Sequence, residues 1–402
     1  MKKIIAISVM FALIAGAVFA DTSIGGSVET RFSLAGQQGA KDDDPIMGGT
    51  IGSAQIVLSG SNAEGTLGGQ WRFRNTNGFA DGGMTLGEPF YDQVFVWWKP
   101  IEQVKIFLGI DQDGLFDTGD FMCWAFHAGD NDYIFNHAWD FWRQIFPGNW
   151  DGFGLAFSFY PMPGLDINLA LPTGNVHWRQ GQKSSVETPR PITDPEGDAN
   201  KNAGMLPGRL RFVANYSLDF GKISLVYLGG GIAAEKEPAW IGYGAGVIDA
   251  ANNGLFGLSA LITAIEGIQI KVGGSIVLND TSDNLINAGL GVVYNGDGFG
   301  VKFRVGMFMQ GDRDTFITGE VMPFFAVGDK GQVLVSIGVT NDGAADPALG
   351  WSVIPAYRLG IEGGAFKIGL QIYNNIAFGG KVGVSGDDYV KWNVPMLLSF
   401  SF

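Results

Sequence analysis

The chain has 402 residues, 62 of them Gly, with 13% aromatic and 16% charged residues. Low charge beside abundant Gly and aromatics fits repeated short strands and argues against a helical enzyme. The formal charge of −14 argues against a nucleic-acid partner, and the single Cys123 rules out an internal disulfide.

The first twenty residues read as an export signal. Met1, Lys2 and Lys3 are a basic start, Ile4 to Val18 is apolar, and Val18-Phe19-Ala20 is a small-x-small cleavage signature before Asp21. This predicts a secretory signal peptide at 1–20, with an apolar core too short for a comfortable membrane span. No Cys stands directly after the cleavage point, so a lipid anchor is not expected. Without Lys2 and Lys3 the balance is 24 basic against 40 acidic residues, a net of −16. Downstream there is no run of about 18 apolar residues, so helical spans are not expected.

From there the pattern alternates with a period of 2. Strands are expected near 23–35, 50–60, 65–74, 91–100, 102–111, 151–161, 164–171, 207–219 and 222–230. They continue near 254–264, 267–279, 285–294, 298–310, 315–327, 331–340, 350–360, 364–374 and 391–402. Each is about ten residues, the length that crosses a bilayer at a barrel's tilt. Short gaps rich in Gly, Pro, Asn and Asp alternate with long ones at 36–49, 75–90, 112–150, 172–206, 231–253 and 375–390. Shorter connections at 280–284, 311–314 and 341–349 complete the second set. The expectation is all-β: one transmembrane antiparallel β-barrel over 21–402, of about 18 strands with 16 possible, both ends on the side of the tight turns.

The two faces differ in chemistry. In 298–310, Phe299, Val301, Phe303, Val305, Met307 and Met309 oppose Gly300, Lys302, Arg304, Gly306 and Gln310. In 267–279, Ile268, Ile270, Val272, Ile276 and Leu278 oppose Gln269, Lys271, Ser275 and Asn279. A charge at mid-membrane costs about 2–4 kcal/mol, so the polar set is expected to line a wet interior. A barrel of 16 to 18 strands is wide enough for a water channel.

That interior set is basic. Arg31, Arg72, Arg74, Lys105, Arg209, Arg211, Lys271, Lys302, Arg304 and Lys367 all fall on the polar parity. The loops are acidic, with Asp42-Asp43-Asp44 in the first and Asp113, Asp117, Asp120, Asp130 and Asp132 in the third. The third connection, 112–150, also carries Phe121, Trp124, Phe126, Phe135, Trp139, Phe141, Trp142, Phe146 and Trp150. Ile134, Ala138, Phe141 and Ile145 recur at helical spacing, so 132–146 is expected to be a short amphipathic helix capped by Asp132 and ended by Pro147-Gly148. A loop this apolar is expected to fold inward rather than hang in water. It would then set Asp113, Asp117 and Asp120 against the basic wall, as a charged constriction.

The last strand has one fully apolar face, Trp392, Val394, Met396, Leu398, Phe400 and Phe402, and ends on an aromatic. Here the chain resembles the outer-membrane β-barrel proteins of diderm (Gram-negative) bacteria. Their final strand pairs with the first and commonly ends in Phe, and the resemblance implies that Phe400 and Phe402 form a signal read by the barrel-assembly machinery. The long connection between the fifth and sixth strands resembles the inward third loop of the general porins. That likeness implies passive diffusion of ions and small hydrophilic solutes, residence in the outer-membrane lipid bilayer, and a homotrimer. The Trp97-Trp98-Lys99-Pro100 run and the Gly-rich hairpins resemble outer-membrane proteins of spirochaetes.

Other chemistry is thin. His127, His137 and His177 all fall in loops with no triad spacing, and Asp111-x-Asp113-Gly114 with Asp117 and Asp120 fails the EF-hand pattern at positions 5 and 12. Neither a catalytic role, a cofactor nor a metal is expected. The alternatives to a diffusion channel are a substrate-selective transporter for sugars or hydrophobic compounds, and a surface adhesin or structural barrel.

Overall fold

Alternation builds the wall. The computed structural model describes residues 21–37, 46–80, 83–85, 90–111, 152–172, 210–229, 242–243, 246–247, 252–279, 283–312, 315–341, 349–375 and 388–402. The expected signal peptide, the helix at 132–146, the three histidines, Arg209, Asp113, Asp117 and Asp120 lie outside these residues.

Among the described residues every regular element is a strand. The wall begins with β1 (Asp21–Gln37), β2 (Ile46–Ser61), β3 (Leu67–Ala80), β4 (Phe90–Ile101), β5 (Val104–Asp111) and β6 (Gly152–Met162). It goes on through β7 (Leu165–Pro172), β8 (Arg211–Leu218), β9 (Gly221–Gly229), β10 (Asn252–Ile265), β11 (Ile268–Asn279) and β12 (Leu285–Asn295). It ends with β13 (Phe299–Gln310), β14 (Phe316–Val327), β15 (Gly331–Asn341), β16 (Leu349–Ile361), β17 (Gly364–Gly369 and Gln371–Asn374) and β18 (Val390–Ser401). Every neighbour in this order is antiparallel, and β18 pairs back onto β1, so the 18 strands close into a barrel. The expected strand count and class are those observed.

Closure is the step that removes the free edges a sheet would otherwise expose. Its register runs from Ser27↔Ser401 to Gln37↔Trp392, with one shift between Ser33 and Gly36. Beyond it, Gly26 N–H donates to the Phe402 carbonyl and Phe402 N–H to the Gly26 carbonyl, both at 3.0 Å. Inside the seam Ser33 Oγ donates to Asn393 Oδ1, and Asn393 Nδ2 donates to Gln371 Oε1 at 3.4 Å. Asn393 is fully buried there, which ties β17, β18 and β1 together from the lumen side.

One end of the barrel carries tight connections at 62–66, 102–103, 163–164, 219–220, 266–267, 296–298, 328–330 and 362–363. Asn62 Oδ1 closes the first by accepting from Thr66 N–H at 2.8 Å and Leu67 N–H at 2.9 Å. Gly267, at φ 73°, closes the fifth, and a Cβ there would stand 2.7 Å from the Asn295 carbonyl oxygen.

Several strands run differently from the sequence pattern. β2 begins four residues earlier than 50 and β3 continues to Ala80, while β8 starts at Arg211. β2 starts early because β1 pairs with it out to Gly36↔Ile46, and β3 runs on because its end pairs with the short strand Gly83–Thr85. β17 is interrupted at Leu370 although its register with β16 does not slip, from Ala356↔Gly369 to Val353↔Ile372. The cause is Pro355: it has no N–H to donate, so only the bond from Leu370 N–H to the Pro355 carbonyl remains, at 3.0 Å.

The convex face is apolar and uncovered. Val94, Val96 and Trp98 on β4, Leu108 on β5, Phe303 and Met307 on β13, and Leu398 and Phe400 on β18 are all exposed, Val96 at 52%. The alternate residues, Ser158, Asn168, Ser224, Ser259, Ser275, Arg304 and Glu320, are buried on the concave side. A soluble protein would reverse this arrangement, and an apolar surround would satisfy it.

Candidate pore lining

Parity and register decide which side chains meet inside. On β8 to β16 one cross-strand row reads Asn215, Ser224, Ser259, Gly273, Gly289, Gly306, Thr318, Thr340 and Gly350. Nothing in that row is longer than Asn, so this arc of the wall intrudes little on the lumen. The next inward row towards the tight turns carries the charges: Lys222, Leu261, Lys271, Gly291, Arg304, Glu320 and Gly338.

Arg304 of that row is neutralised. It forms an ion pair with Glu320 through Nη2 and Oε2, with side chains 9% and 3% exposed. Ser336 Oγ donates to the other Glu320 oxygen at 2.5 Å. Gly291 and Gly338 stand on either side in the row, so no neighbouring Cβ crowds the pair. Lys302, two residues along, sits 6.0 Å from the centre of the Phe324 ring. Phe324 packs against a patch of Met322, Leu334, Ala356 and Leu397 on the concave side.

The wall on β3 to β6 is built of larger groups. Phe95 and Phe107 meet edge to face at 6.2 Å. The Trp97 indole lies across Gly68, where an added Cβ would stand 2.4 Å from the ring. Lys105 Nζ lies 4.4 Å from the Trp97 ring centre and 4.6 Å from that of Phe107. Lys99 Nζ is 6.0 Å from the same indole. On the neighbouring strands Ser158 Oγ donates to Asn168 Oδ1 at 2.5 Å, and Asn168 Nδ2 donates to Asp166 Oδ1 at 2.8 Å.

The candidate residues therefore fall into groups. Arg72 is buried on the concave side of β3, opposite Val57. Lys105 joins the aromatic group, and Lys302 and Arg304 share β13. Lys367 is 3% exposed and stands between Arg358 and Leu397 in register. Arg74 and Arg211 are placed by register alone, opposite Gln55 and Ala170. Phe400 pairs with Val28 on the convex side of the seam, and its ring lies 6.3 Å from that of Phe402.

Reading the sequence for basic residues missed the acids on the same parity. Glu29, Asp166 and Glu320 all take concave positions, opposite Ser399, Asn215 and Arg304. The signal was present, since Glu320 alternates with Thr318 and Met322 against apolar Ile317 and Val321. Phe107 was missed because an aromatic on the polar parity looks like a break in the pattern.

No family model matches this chain, and no curated protein does. Solved structures do. The OmpF of Salmonella typhi, solved in complex with daunomycin, is 10% identical over 95% of this chain and 97% of that one, with a TM-score of 0.52. A triple mutant of the Rhodopseudomonas blastica porin is 12% identical over 95% and 100%, at 0.46, a score that adds nothing to the first. At these identities what is shared is the fold: this chain resembles the bacterial general porins, as a closed antiparallel barrel of the same kind.

Proposed function

We propose that the protein is an outer-membrane channel through which ions and small hydrophilic solutes diffuse down their gradients. The observation that carries this reading is the inversion of faces: apolar side chains outside a closed 18-strand wall, and Arg, Lys, Glu, Asn and Ser inside it. A wall of that kind holds water where lipid cannot go, and its charges filter what passes. No bond is made or broken in this role. Residues 1–20 act as the export signal, the tight turns face the periplasm, and the barrel assembles as a homotrimer. The connection 112–150 narrows the passage, with Asp113, Asp117 and Asp120 opposite Arg72, Arg74, Arg209 and Arg211. Phe400 and Phe402 form part of the signal read on insertion.

The test is single-channel recording of the purified protein in a planar bilayer. Stepwise conductance is the expected result, and a folded barrel with no current would overturn the reading. Excising 121–146 raises the conductance of each step if the connection narrows the pore. An unchanged step in a folded barrel would remove the constriction and leave the channel.

A further inference from the structure

The group around Lys105 is unlike a generic wet wall. Lys105 and Lys99 are both held at one indole, and neither has a carboxylate partner among the described residues. Asp166, two strands away, is engaged by Asn168 instead. Like charges gathered without a counter-ion raise the local potential for anions. Their short-range partners are ring faces, Trp97 and Phe107, which hold a cation through the ring quadrupole but leave its charge uncancelled. Lys99 and Lys105 flank the turn at 102–103, so the group sits near the tight-turn end of the lumen.

We infer that this part of the wall is a binding station for a small aromatic carboxylate on its way through the pore. An inorganic anion would use the ammonium groups and leave the rings idle. A neutral sugar would need the indole face, which Lys105 covers at 4.4 Å. An aryl carboxylate uses both: its carboxylate meets Lys105 and Lys99, and its ring packs edge-on against Trp97 and against Phe95. Gly68 leaves the room in which the Trp97 indole lies against the wall, a place that a Cβ would deny it. The station deepens the channel reading and rests on it for its role in passage, though binding itself needs only the folded barrel.

The experiment uses the full-length barrel purified in detergent, with benzoate as probe and titration calorimetry as readout. Acetate supplies the charge without the ring, and benzyl alcohol the ring without the charge. Benzoate is expected to bind about tenfold or more tightly than either, and Lys105→Gln to weaken it about tenfold while Lys105→Arg keeps most of it. Trp97→Leu, a change of ring rather than charge, is expected to bring benzoate down to the level of acetate. The heat-induced gel shift of the barrel identifies any variant that does not fold. Equal affinity for benzoate and acetate, or benzoate binding unchanged in Lys105→Gln, would overturn the station. Binding without single-channel current would sink the channel and keep the station, and current without benzoate binding would do the reverse.

Discussion

Lys105 and Arg304 face the same lumen from different arcs of the wall, and they differ in how their charge is met. Arg304 has Glu320 directly across the ladder, with Ser336 Oγ donating to the same carboxylate. Lys105 has two ring faces and, beside it, another lysine at the same indole. In the first arc a buried charge is met by its neighbour's; in the second no carboxylate among the described residues meets it, and the ring faces leave it uncancelled. The difference teaches that a count of basic residues on the polar parity does not give the field in the lumen. A charge contributes to selectivity only in so far as the wall leaves it uncompensated.

The contrast breaks most forcefully at Glu320. Glu320→Ala leaves Arg304 buried with its counter-charge gone, which costs about 3–5 kcal/mol. Urea unfolding in lipid vesicles measures it. Arg304→Met in the same chain is expected to recover most of that loss, because the pair as a whole contributes little once both charges are gone. If the single and the double change unfold alike, the pair is not what holds Glu320 in place.

A smaller effect separates the two faces of one strand. Phe303 is exposed on the convex side, next in sequence to buried Arg304. Phe303→Lys puts a charge against lipid and is expected to cost about 2–4 kcal/mol near the bilayer centre. The same unfolding assay reads it, with Ser275→Lys on the concave face of β11 as the tolerated counterpart. Equal losses at the two positions would mean that the convex face does not meet lipid.

Much of this was legible in the sequence. Period-2 alternation survives in each strand because the register cannot slip by one without turning Phe303 inward and Arg304 outward. Turn chemistry marked where strands end, since Gly267 adopts a backbone that a side chain would crowd against Asn295. The barrel is thus readable from local rules alone. The pairing of charges is not local. Arg304 and Glu320 are joined only through the β13–β14 register, and a shift of two residues would set Arg304 opposite Thr318 or Met322 instead. Trp97 and Phe107 meet Lys105 through a ladder with an irregularity between Trp98 and Ile101, which no spacing rule would have supplied. The interruption at Leu370 was likewise hidden, because its cause, Pro355, lies on the partner strand.

The finest test compares selectivity at nearly constant stability. Lys105→Gln removes one net positive charge from the wall and gives up cation–π contacts worth about 0.5–2 kcal/mol. Its mark is electrical: in a salt gradient the reversal potential is expected to move towards cations. The double change Arg304→Gln with Glu320→Gln removes two charges and no net charge, so its reversal potential is expected to stay close to the parent's. Both measurements belong at low ionic strength, where the screening length is about 30 Å at 0.01 M. At 1 M it falls to about 3 Å, and the shift in Lys105→Gln should fade with it. A shift as large in the double change as in Lys105→Gln would show that Arg304 is not silenced by its partner, and the distinction between the two arcs would fall.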